Sequence, residues 1–171
     1  MNKQFYMAAL DVEGRRCVVV GDGGMADEKV AGLEACGAVV ERVPASKYKR
    51  RVLKNAFVVM VATSDAALNK RIFGDAERRG ILCNVADVPE LCNFILPAVH
   101  REGSIAIAVS TGGASPALAK RLRSMIAAIV RPEHAELAEE LRAMRPEVKA
   151  RFASYEERRD YFEEIVRERL S

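Results

Sequence analysis

Short apolar runs alternate with helix-forming stretches through residue 97, and no other feature of the sequence constrains the fold as strongly. The runs are Cys17–Val20, Ala38–Val43, Phe57–Thr63 and Ile81–Val85. Strands that alternate with helices in this way are typical of a parallel α/β sheet. We expect Phe57–Thr63, the most apolar run, to be a central strand, because strands buried on both faces are continuously apolar.

A glycine-rich segment, Gly21–Ala26 (GDGGMA), follows the first apolar run and opens the first predicted helix. It fits the pattern G-x-G-x-x-A, which is typical of dinucleotide-binding loops. In that pattern Gly21 permits a tight turn, Gly23 lets the backbone approach a pyrophosphate, and Ala26 allows close packing of the helix on the sheet. The N-terminus of the helix offers N–H groups to phosphate. The alternative is a glycine turn used only for packing.

The end of the second predicted strand lacks the acidic residue that usually binds a ribose. Glu41 has the expected spacing but lies inside the strand, and the strand ends at Val43 before Pro44-Ala45-Ser46. Ser46 could hydrogen-bond a ribose hydroxyl, whereas Arg42 or Lys47 could meet a 2′-phosphate. The pattern favours NAD over NADP.

Asp87 is the candidate catalytic acid or base, because it follows a predicted strand at its carboxyl end, where open α/β sheets bind ligands. Beside a nicotinamide, this carboxylate could take up or release a proton during a redox step. The alternative is a cap or turn aspartate before Pro89. Cys92, nearby in sequence, is interpreted as a buried thiol.

The chain changes character after Pro97. Ala98–His100 and Ile105–Val109 are predicted to form a hairpin. Ser115 and Pro116 have the pattern of a helix start, and the apolar positions of that helix fall on one face. That face comprises Leu118, Leu122, Met125, Ile126 and Ile129. Ser64 is predicted to cap an earlier helix, and Pro132 and Pro146 to divide the remainder into two further helices.

Charge is unevenly placed along the chain. Residues 1–132 carry 19 Lys/Arg against 13 Asp/Glu, whereas the last 39 residues carry 8 against 11. A basic body suits an anionic small ligand. The run Lys47–Lys54 holds five cations that we interpret as a solvated helix face, and Lys120, Arg121 and Arg123 either bind substrate carboxylates or form the wet face of their helix.

Composition excludes several classes of protein. The chain has 171 residues, of which 50% are hydrophobic and 30% charged, so it is not disordered. No apolar run approaches the roughly 20 residues of a membrane span, and no export signal is evident, so we expect a cytoplasmic protein. Four cysteines without a CxxC pair and two histidines argue against a structural metal site. With no Trp and ten Phe and Tyr, no base-stacking pattern indicates nucleic-acid binding.

Four segments carry a resemblance to one known family: Val18–Lys29 (VVVGDGGMADEK), Val61–Asn69 (VATSDAALN), Cys83–Pro97 (CNVADVPELCNFILP) and Ile107–Leu118 (IAVSTGGASPAL). Through them, and through its tail, the chain resembles the precorrin-2 dehydrogenase family, which includes the dehydrogenase/ferrochelatase module of siroheme synthase. The resemblance implies NAD-dependent oxidation of precorrin-2 to sirohydrochlorin, and in some members insertion of Fe(II) or Co(II) into that product.

The resemblance also implies a domain organisation. We expect a Rossmann-like NAD-binding domain at residues 1–97, a small α+β dimerisation segment at 98–131 and a helical C-terminal domain at 132–171, in a homodimer. Asp87 takes the place of the essential aspartate. The cofactor-binding positions are Gly21, Gly23, Gly24, Met25, Ala26, Pro44, Ala45, Ser46, Thr63 and Asp65, and the substrate-binding candidates are Thr111, Gly113, Ser115, Lys120 and Arg121.

One stretch departs from the family. The segment from Pro44 to Ala56 is shorter than the corresponding segment of relatives and leaves room for one basic crossover helix. We therefore expect a sheet with fewer strands than in relatives, with Ala38–Val43 as an edge strand. The adenine side of the cofactor site would be more open. Two alternatives to the dehydrogenase follow, namely a chelatase without the oxidation step and a non-catalytic NAD(H)-sensing regulatory module.

Overall fold

The computed structural model describes residues 5–170. Two compact units meet in the sequence at Leu96 and Pro97. No helix within the described residues is long and apolar enough to cross a membrane.

The first unit contains a four-stranded parallel sheet. Its strands are β1 (Arg16–Gly21), β2 (Val39–Val43), β3 (Val58–Ala62) and β4 (Leu82–Val85). Their order is β2-β1-β3-β4, and every neighbouring pair is parallel. The predicted α/β class is confirmed, with the second strand at an edge and the FVVMVAT strand in the interior. β3 is buried along its whole length, which explains its unbroken apolar sequence.

Two helices cover the two faces of this sheet, because successive side chains of a strand point to opposite faces. The helices are α1 (Gly24–Glu34) and α2 (Ala66–Glu77). One core joins β1 and β3 to α2 through Val18, Val20, Val59, Val61, Leu68 and Ile72. The other joins the same strands to α1 through Cys17, Val19, Val58, Met60, Ala26 and Leu33.

The cap of α2 differs from the prediction by one residue. Asp65, and not Ser64, is the N-cap, and its carboxylate accepts a hydrogen bond from the backbone N–H of Leu68 at 2.9 Å. Serine and aspartate are equally good capping residues, so the choice between neighbours depends on the backbone. That backbone is fixed by Thr63, whose hydroxyl accepts from the Asp65 N–H at 3.2 Å.

The predicted crossover helix between β2 and β3 is wrong. The chain instead forms two short 3-10 turns, Ala45–Lys47 and Arg50–Leu53, with extended backbone between them. This extended step lets Tyr48 turn inward, and both Tyr48 and Leu53 are buried. The cations of the segment are exposed, as their interpretation as a solvated surface requires.

Tyr48 ties this short segment to α2. Its hydroxyl donates to the Asp75 carboxylate at 3.0 Å, and Arg78 pairs with the same carboxylate at 2.5 Å. We expect Tyr48→Phe to lower the free energy of unfolding by about 1.5–3 kcal/mol, because a buried charged acceptor loses a donor. Urea denaturation measures this loss, and Tyr6→Phe is the control because Tyr6 is 95% exposed. Equal stability of the two variants would contradict the anchoring role.

The same contact predicts a pH dependence. Burial, and then the hydrogen bond and charge of Asp75, raise the pKa of the Tyr48 phenol above its ordinary value of 10.0. Folding thus stabilises the neutral phenol, and this contribution is complete below pH 10 and is lost as the pH rises further. The stability difference between wild type and Tyr48→Phe should therefore shrink above pH 10.

The second unit begins with the predicted hairpin, β5 (Ala98–Glu102) and β6 (Ile105–Val109), which pair antiparallel. Helix α3 (Pro116–Ala127) follows, and Ser115 caps it as predicted, accepting from the Leu118 N–H at 3.2 Å. The apolar face of α3 stays largely exposed. Leu118, Leu122 and Met125 on that face are 37–53% exposed, and Ile129, just past the end of the helix, is 70% exposed.

The chain ends in α4 (Pro132–Arg151) and α5 (Tyr155–Arg169). The prediction that Pro146 divides two helices is wrong, because α4 continues through it. Proline removes one backbone donor, and a 20-residue helix retains enough other hydrogen bonds to continue. The break comes at Phe152–Ser154, where Ser154 and Glu157 form a reciprocal capping box that starts α5.

Candidate functional site

The glycine segment forms an open loop between β1 and α1. A Cβ built on Gly21 would lie 2.1 Å from the carbonyl oxygen of Ala62, so only glycine lets the end of β1 pass this close to β3. Gly23 is different: its φ is +77° and no heavy atom lies within 4 Å of a Cβ built there. Gly21 therefore serves strand packing, whereas Gly23 faces open space.

The first turn of α1 is free to receive an anion. Gly23 is the N-cap and no side chain caps the helix. Gly24 also borders open space, and Ala26 is fully buried against the sheet. Exposed N–H groups at a helix N-terminus, approached over glycines, fit a pyrophosphate. The residues present thus fit a dinucleotide.

Arg42 and Asp22 fasten the loop to the end of β2. The Arg42 guanidinium pairs with Asp27 in the first turn of α1, and lies 3.5 Å from the carbonyl oxygens of Gly21 and Gly23. The Asp22 carboxylate accepts from the backbone N–H of Ala45 at 3.2 Å. The cation offsets the charge of Asp27 where a phosphate would sit.

The residues after β2 therefore lie beside the glycine loop. Pro44 and Ala45 are half-buried, whereas Ser46 and Lys47 are exposed. Glu41, the acid with the expected ribose spacing, pairs instead with Arg16.

Thr63 closes the turn after β3. Its hydroxyl donates to the side-chain oxygen of Asn69 at 2.7 Å, and the Asn69 amide donates back to the Thr63 carbonyl at 3.0 Å. Asn69 is buried, and its role was not predicted from the sequence. The sequence feature that could have indicated this role is the VATSDAALN segment, in which Asn69 lies one helical turn after the capping residue Asp65.

Asp87 lies in the turn after β4, with φ at +58°. Its side chain is exposed, and no hydrogen bond or ion pair to its carboxylate is found within residues 5–170. It caps no helix, since the 3-10 turn that follows, Pro89–Leu91, has Val88 as its N-cap and no side-chain cap. Asp87 is therefore a turn residue with an available carboxylate.

The glycine loop, the Thr63 turn and Asp87 follow three neighbouring strands at one edge of the sheet. Gly21 is paired with Ala62, and Val61 is paired with Val85. Adjacent strands lie about 4.8 Å apart, so these three segments share the carboxyl edge at which open sheets bind ligands.

Cys92 holds the Asp87 turn in place. Its sulfur accepts from the Val85 N–H at 3.3 Å and also lies 3.3 Å from the carbonyl oxygens of Val85 and Val88. Asn84 donates to the Phe94 carbonyl at 3.1 Å. The buried thiol was predicted, but its place across the turn depends on a contact that spacing alone does not reveal.

We expect Cys92→Ala to lower the free energy of unfolding by about 1–3 kcal/mol, because the buried Val85 N–H loses its acceptor. Amide hydrogen exchange at Val85 and Val88 should accelerate by more than it does in Cys92→Ser, which keeps a donor and acceptor. The control is Cys36→Ala at an exposed cysteine. Unchanged exchange at both amides would show that the thiol does not hold the turn.

In the second unit, the hydroxyls of Thr111 and Ser115 form hydrogen bonds with nearby backbone groups. The Thr111 hydroxyl donates to the Ser115 carbonyl at 3.1 Å and accepts from the Ser115 N–H at 3.0 Å, while the Ser115 hydroxyl caps α3. Gly113 has φ at +90° with open space around it. Lys120 and Arg121 are exposed on α3.

Three family models match successive parts of the chain. A model described as putative NAD(P)-binding matches residues 8–98. The chain belongs to that family. Models described as sirohaem biosynthesis protein central and sirohaem synthase dimerisation region match residues 102–129 and 134–171. The resemblance to the precorrin-2 dehydrogenase family is confirmed, and with it a nicotinamide dinucleotide as the cofactor class.

Individual similar proteins have names that agree with these family models. The siroheme synthase of Nitrosococcus oceani is 30% identical over 95% of this chain and 39% of that protein, and the siroheme synthase of Methylobacillus flagellatus is 34% identical over 91% and 38%. The chain thus spans about two fifths of the length of these curated relatives. A solved structure titled SirC, precorrin-2 dehydrogenase, matches with a TM-score of 0.77 and 27% identity, over 98% of this chain and 93% of that one.

Proposed function

We propose that this member of the putative NAD(P)-binding family catalyses the NAD-dependent dehydrogenation of precorrin-2 to sirohydrochlorin, on the route to siroheme. One observation carries the proposal. A glycine loop fit for a dinucleotide and Asp87, whose carboxylate has no partner among residues 5–170, follow strands of the same sheet at the same edge. The choice of precorrin-2 as substrate is inferred from the names of the relatives, siroheme synthase and SirC, precorrin-2 dehydrogenase.

Residues of the first unit hold the cofactor in this proposal. Gly23, Gly24 and Met25 present backbone to the pyrophosphate, while Gly21 and Ala26 set the strand and helix that carry the loop. Pro44–Ser46 border the adenosine side, and Thr63 and Asp65 line the cofactor after β3. Bound NAD⁺ supplies the acceptor of a hydride. Arg42, one of the two candidate partners of a 2′-phosphate, is paired with Asp27, which supports NAD over NADP.

Asp87 takes the proton in this proposal. The oxidation removes a hydride and a proton from precorrin-2, and the hydride reduces NAD⁺ to NADH. The proton passes to the Asp87 carboxylate and then to water, so atoms and electrons balance. An exposed carboxylate with no competing donor among the described residues is ready for that transfer.

Within the second unit, taken by itself, we propose substrate-binding roles for five residues. Lys120 and Arg121 provide charge, because both are exposed on α3. Gly113 lets the backbone come close, and Thr111 and Ser115 fix that backbone through their own hydrogen bonds. The proposed boundaries are an NAD-binding domain at 1–97, a dimerisation segment at 98–131 and a helical domain at 132–171, although the family model described as a dimerisation region matches the last of these three parts.

A homodimer is part of the proposal. The exposed apolar face of α3 supports it, since four large apolar side chains are unusual on the surface of a monomer. The dimerisation region named by the third family model adds support. The four cysteines form no disulfide bond, and a cytoplasmic location is part of the proposal.

The experiment is an anaerobic assay. Precorrin-2 is mixed with protein and NAD⁺, and the conversion to sirohydrochlorin is followed by absorbance. Oxidation supports the dehydrogenase. No oxidation, together with faster insertion of Fe(II) or Co(II) into supplied sirohydrochlorin, would favour a chelatase without the oxidation step. No activity in either assay would favour the non-catalytic NAD(H)-sensing regulatory module.

A further inference from the structure

A groove of about 860 Å³ lies between α4 and α5, away from the glycine loop and Asp87 in sequence. Five cations line it: Arg145, Lys149, Arg158, Arg159 and Arg167. This volume lies within the roughly 300–1,000 Å³ range of small-molecule sites. The groove lies within residues 134–171, which match the model described as a dimerisation region, but that description does not explain its concentration of cations, nor do the proposed roles of Lys120 and Arg121.

In the C-terminal helices, positively charged side chains are concentrated along the groove. Residues 133–171 carry eight Lys/Arg and eleven Asp/Glu, yet the groove holds five of those cations and a single acid, Glu163. The segment is therefore acidic overall while the groove is basic. A helical hairpin stabilised only by pairs along its surface would mix the two signs. Sorting of this kind creates a positive local potential that attracts anions.

Two cations on α4 are available to a ligand. Arg145 and Lys149 are four residues apart, so they lie on the same face of the helix. Both are exposed, and no ion pair to either is found within the described residues. Arg142 and Arg169, outside the groove, pair with Glu139 and Glu140.

The α5 side combines cations with rings. Tyr155, Phe162 and Val166 follow one another at helical spacing and line the groove, and Tyr155 is 68% exposed. Arg158 is held in place, because it donates to the carbonyl oxygens of Phe152 and Ala153 at 2.8 Å each. Arg159 is partly neutralised by Asp160 and Glu163.

We propose that this groove binds a flat, polycarboxylate ligand, its carboxylates on the cations and its ring face against Tyr155 and Phe162. Aromatic faces pack against planar conjugated rings, and guanidinium groups bind carboxylates in two-point contacts. The identity of the ligand as the tetrapyrrole substrate rests on the proposed function. The groove then adds a second basic surface to Lys120 and Arg121.

Uroporphyrin, a flat polycarboxylate, is the probe. Its fluorescence is titrated with wild type, with Arg145→Gln/Lys149→Gln, and with the matched pair Arg142→Gln/Arg169→Gln, at low and high salt. The groove variant should bind at least about tenfold more weakly and with a smaller salt dependence, whereas the matched pair should stay within about twofold of wild type. All four side chains are exposed, so folding should be retained.

Equal binding by wild type and the groove variant, or equal weakening in both double variants, would overturn the groove as a site. The proposed function fails separately, when wild type binds uroporphyrin through the groove yet does not oxidise precorrin-2. If the groove variant oxidises precorrin-2 with an unchanged KM, the groove is not a substrate site, and the proposed dehydrogenase activity still stands.

Discussion

Asp87→Asn is expected to lower kcat for precorrin-2 oxidation by about a hundred- to ten-thousand-fold, the range typical of a lost general base. The amide has the shape of the carboxylate but cannot accept the proton. Asparagine also tolerates the positive φ of +58° at this turn, so the backbone should be unchanged. The dissociation constant for NAD⁺ should stay within about twofold of wild type. Stopped-flow absorbance and equilibrium binding measure the two quantities.

Two further variants make this result specific. Asp87→Ala adds a backbone cost of about 1–2 kcal/mol, because alanine disfavours the left-handed region. It should therefore be both inactive and less stable. Glu90→Gln, at an exposed acid three residues along, should keep full activity. Retention of more than about a tenth of wild-type kcat by Asp87→Asn would assign the proton transfer to another group.

Gly23→Ala is expected to weaken NAD⁺ binding by about a hundredfold, near the upper end of the roughly 1–3 kcal/mol cost of a methyl group forced into a close contact. No protein atom lies within 4 Å of a Cβ at this position, so the methyl group would project into the space left for the pyrophosphate. Isothermal titration with NAD⁺ measures the loss.

The control for Gly23→Ala is Gly14→Ala. Gly14 has a φ of +65° and likewise no heavy atom within 4 Å of its Cβ, but it lies before β1. Both variants thus carry the same kind of backbone strain and should lose similar stability. If both bound NAD⁺ like wild type, the glycine segment would serve packing alone, the alternative left open by its sequence.

The parallel sheet could be predicted because its strands are buried on both faces. An unbroken apolar run as short as FVVMVAT, placed between helix-forming stretches, fits a strand covered on both sides. Glycines at positions 37 and 80 follow the helices close to where the structure ends them. The glycine loop was predictable for a local reason, since its pattern needs only a preceding strand and a following helix.

The structure differs from the sequence-based prediction at two places, for different physical reasons. The path of residues 44–56 depends on Tyr48 reaching Asp75, which is 27 residues away. Pro146 follows a local rule for helix ends, but the break falls instead where the capping box of Ser154 and Glu157 fixes a new helix start. At residues 44–56 a distant contact outweighed a local preference, whereas at the helix break one local feature, the capping box, outweighed another, the proline.

The roles of Asp87 and Gly23 stay predictions, whereas the structure adds supporting residues that the sequence did not mark. Asp87 and Gly23 stand at positions that strand ends and glycine patterns mark. Asn69 and Cys92 act through side-chain contacts to backbone across turns, and their residue types carry no such signal. Recognition of those roles required the fold.

The central claim is most directly tested by stoichiometry. Precorrin-2 is oxidised anaerobically by wild type with excess NAD⁺, and the amounts of NADH and sirohydrochlorin formed are measured in the same cuvette. The proposed reaction predicts one NADH for each sirohydrochlorin, and no formation of either with Asp87→Asn on the same timescale. Sirohydrochlorin without NADH, or NADH formed equally by Asp87→Asn, would contradict it.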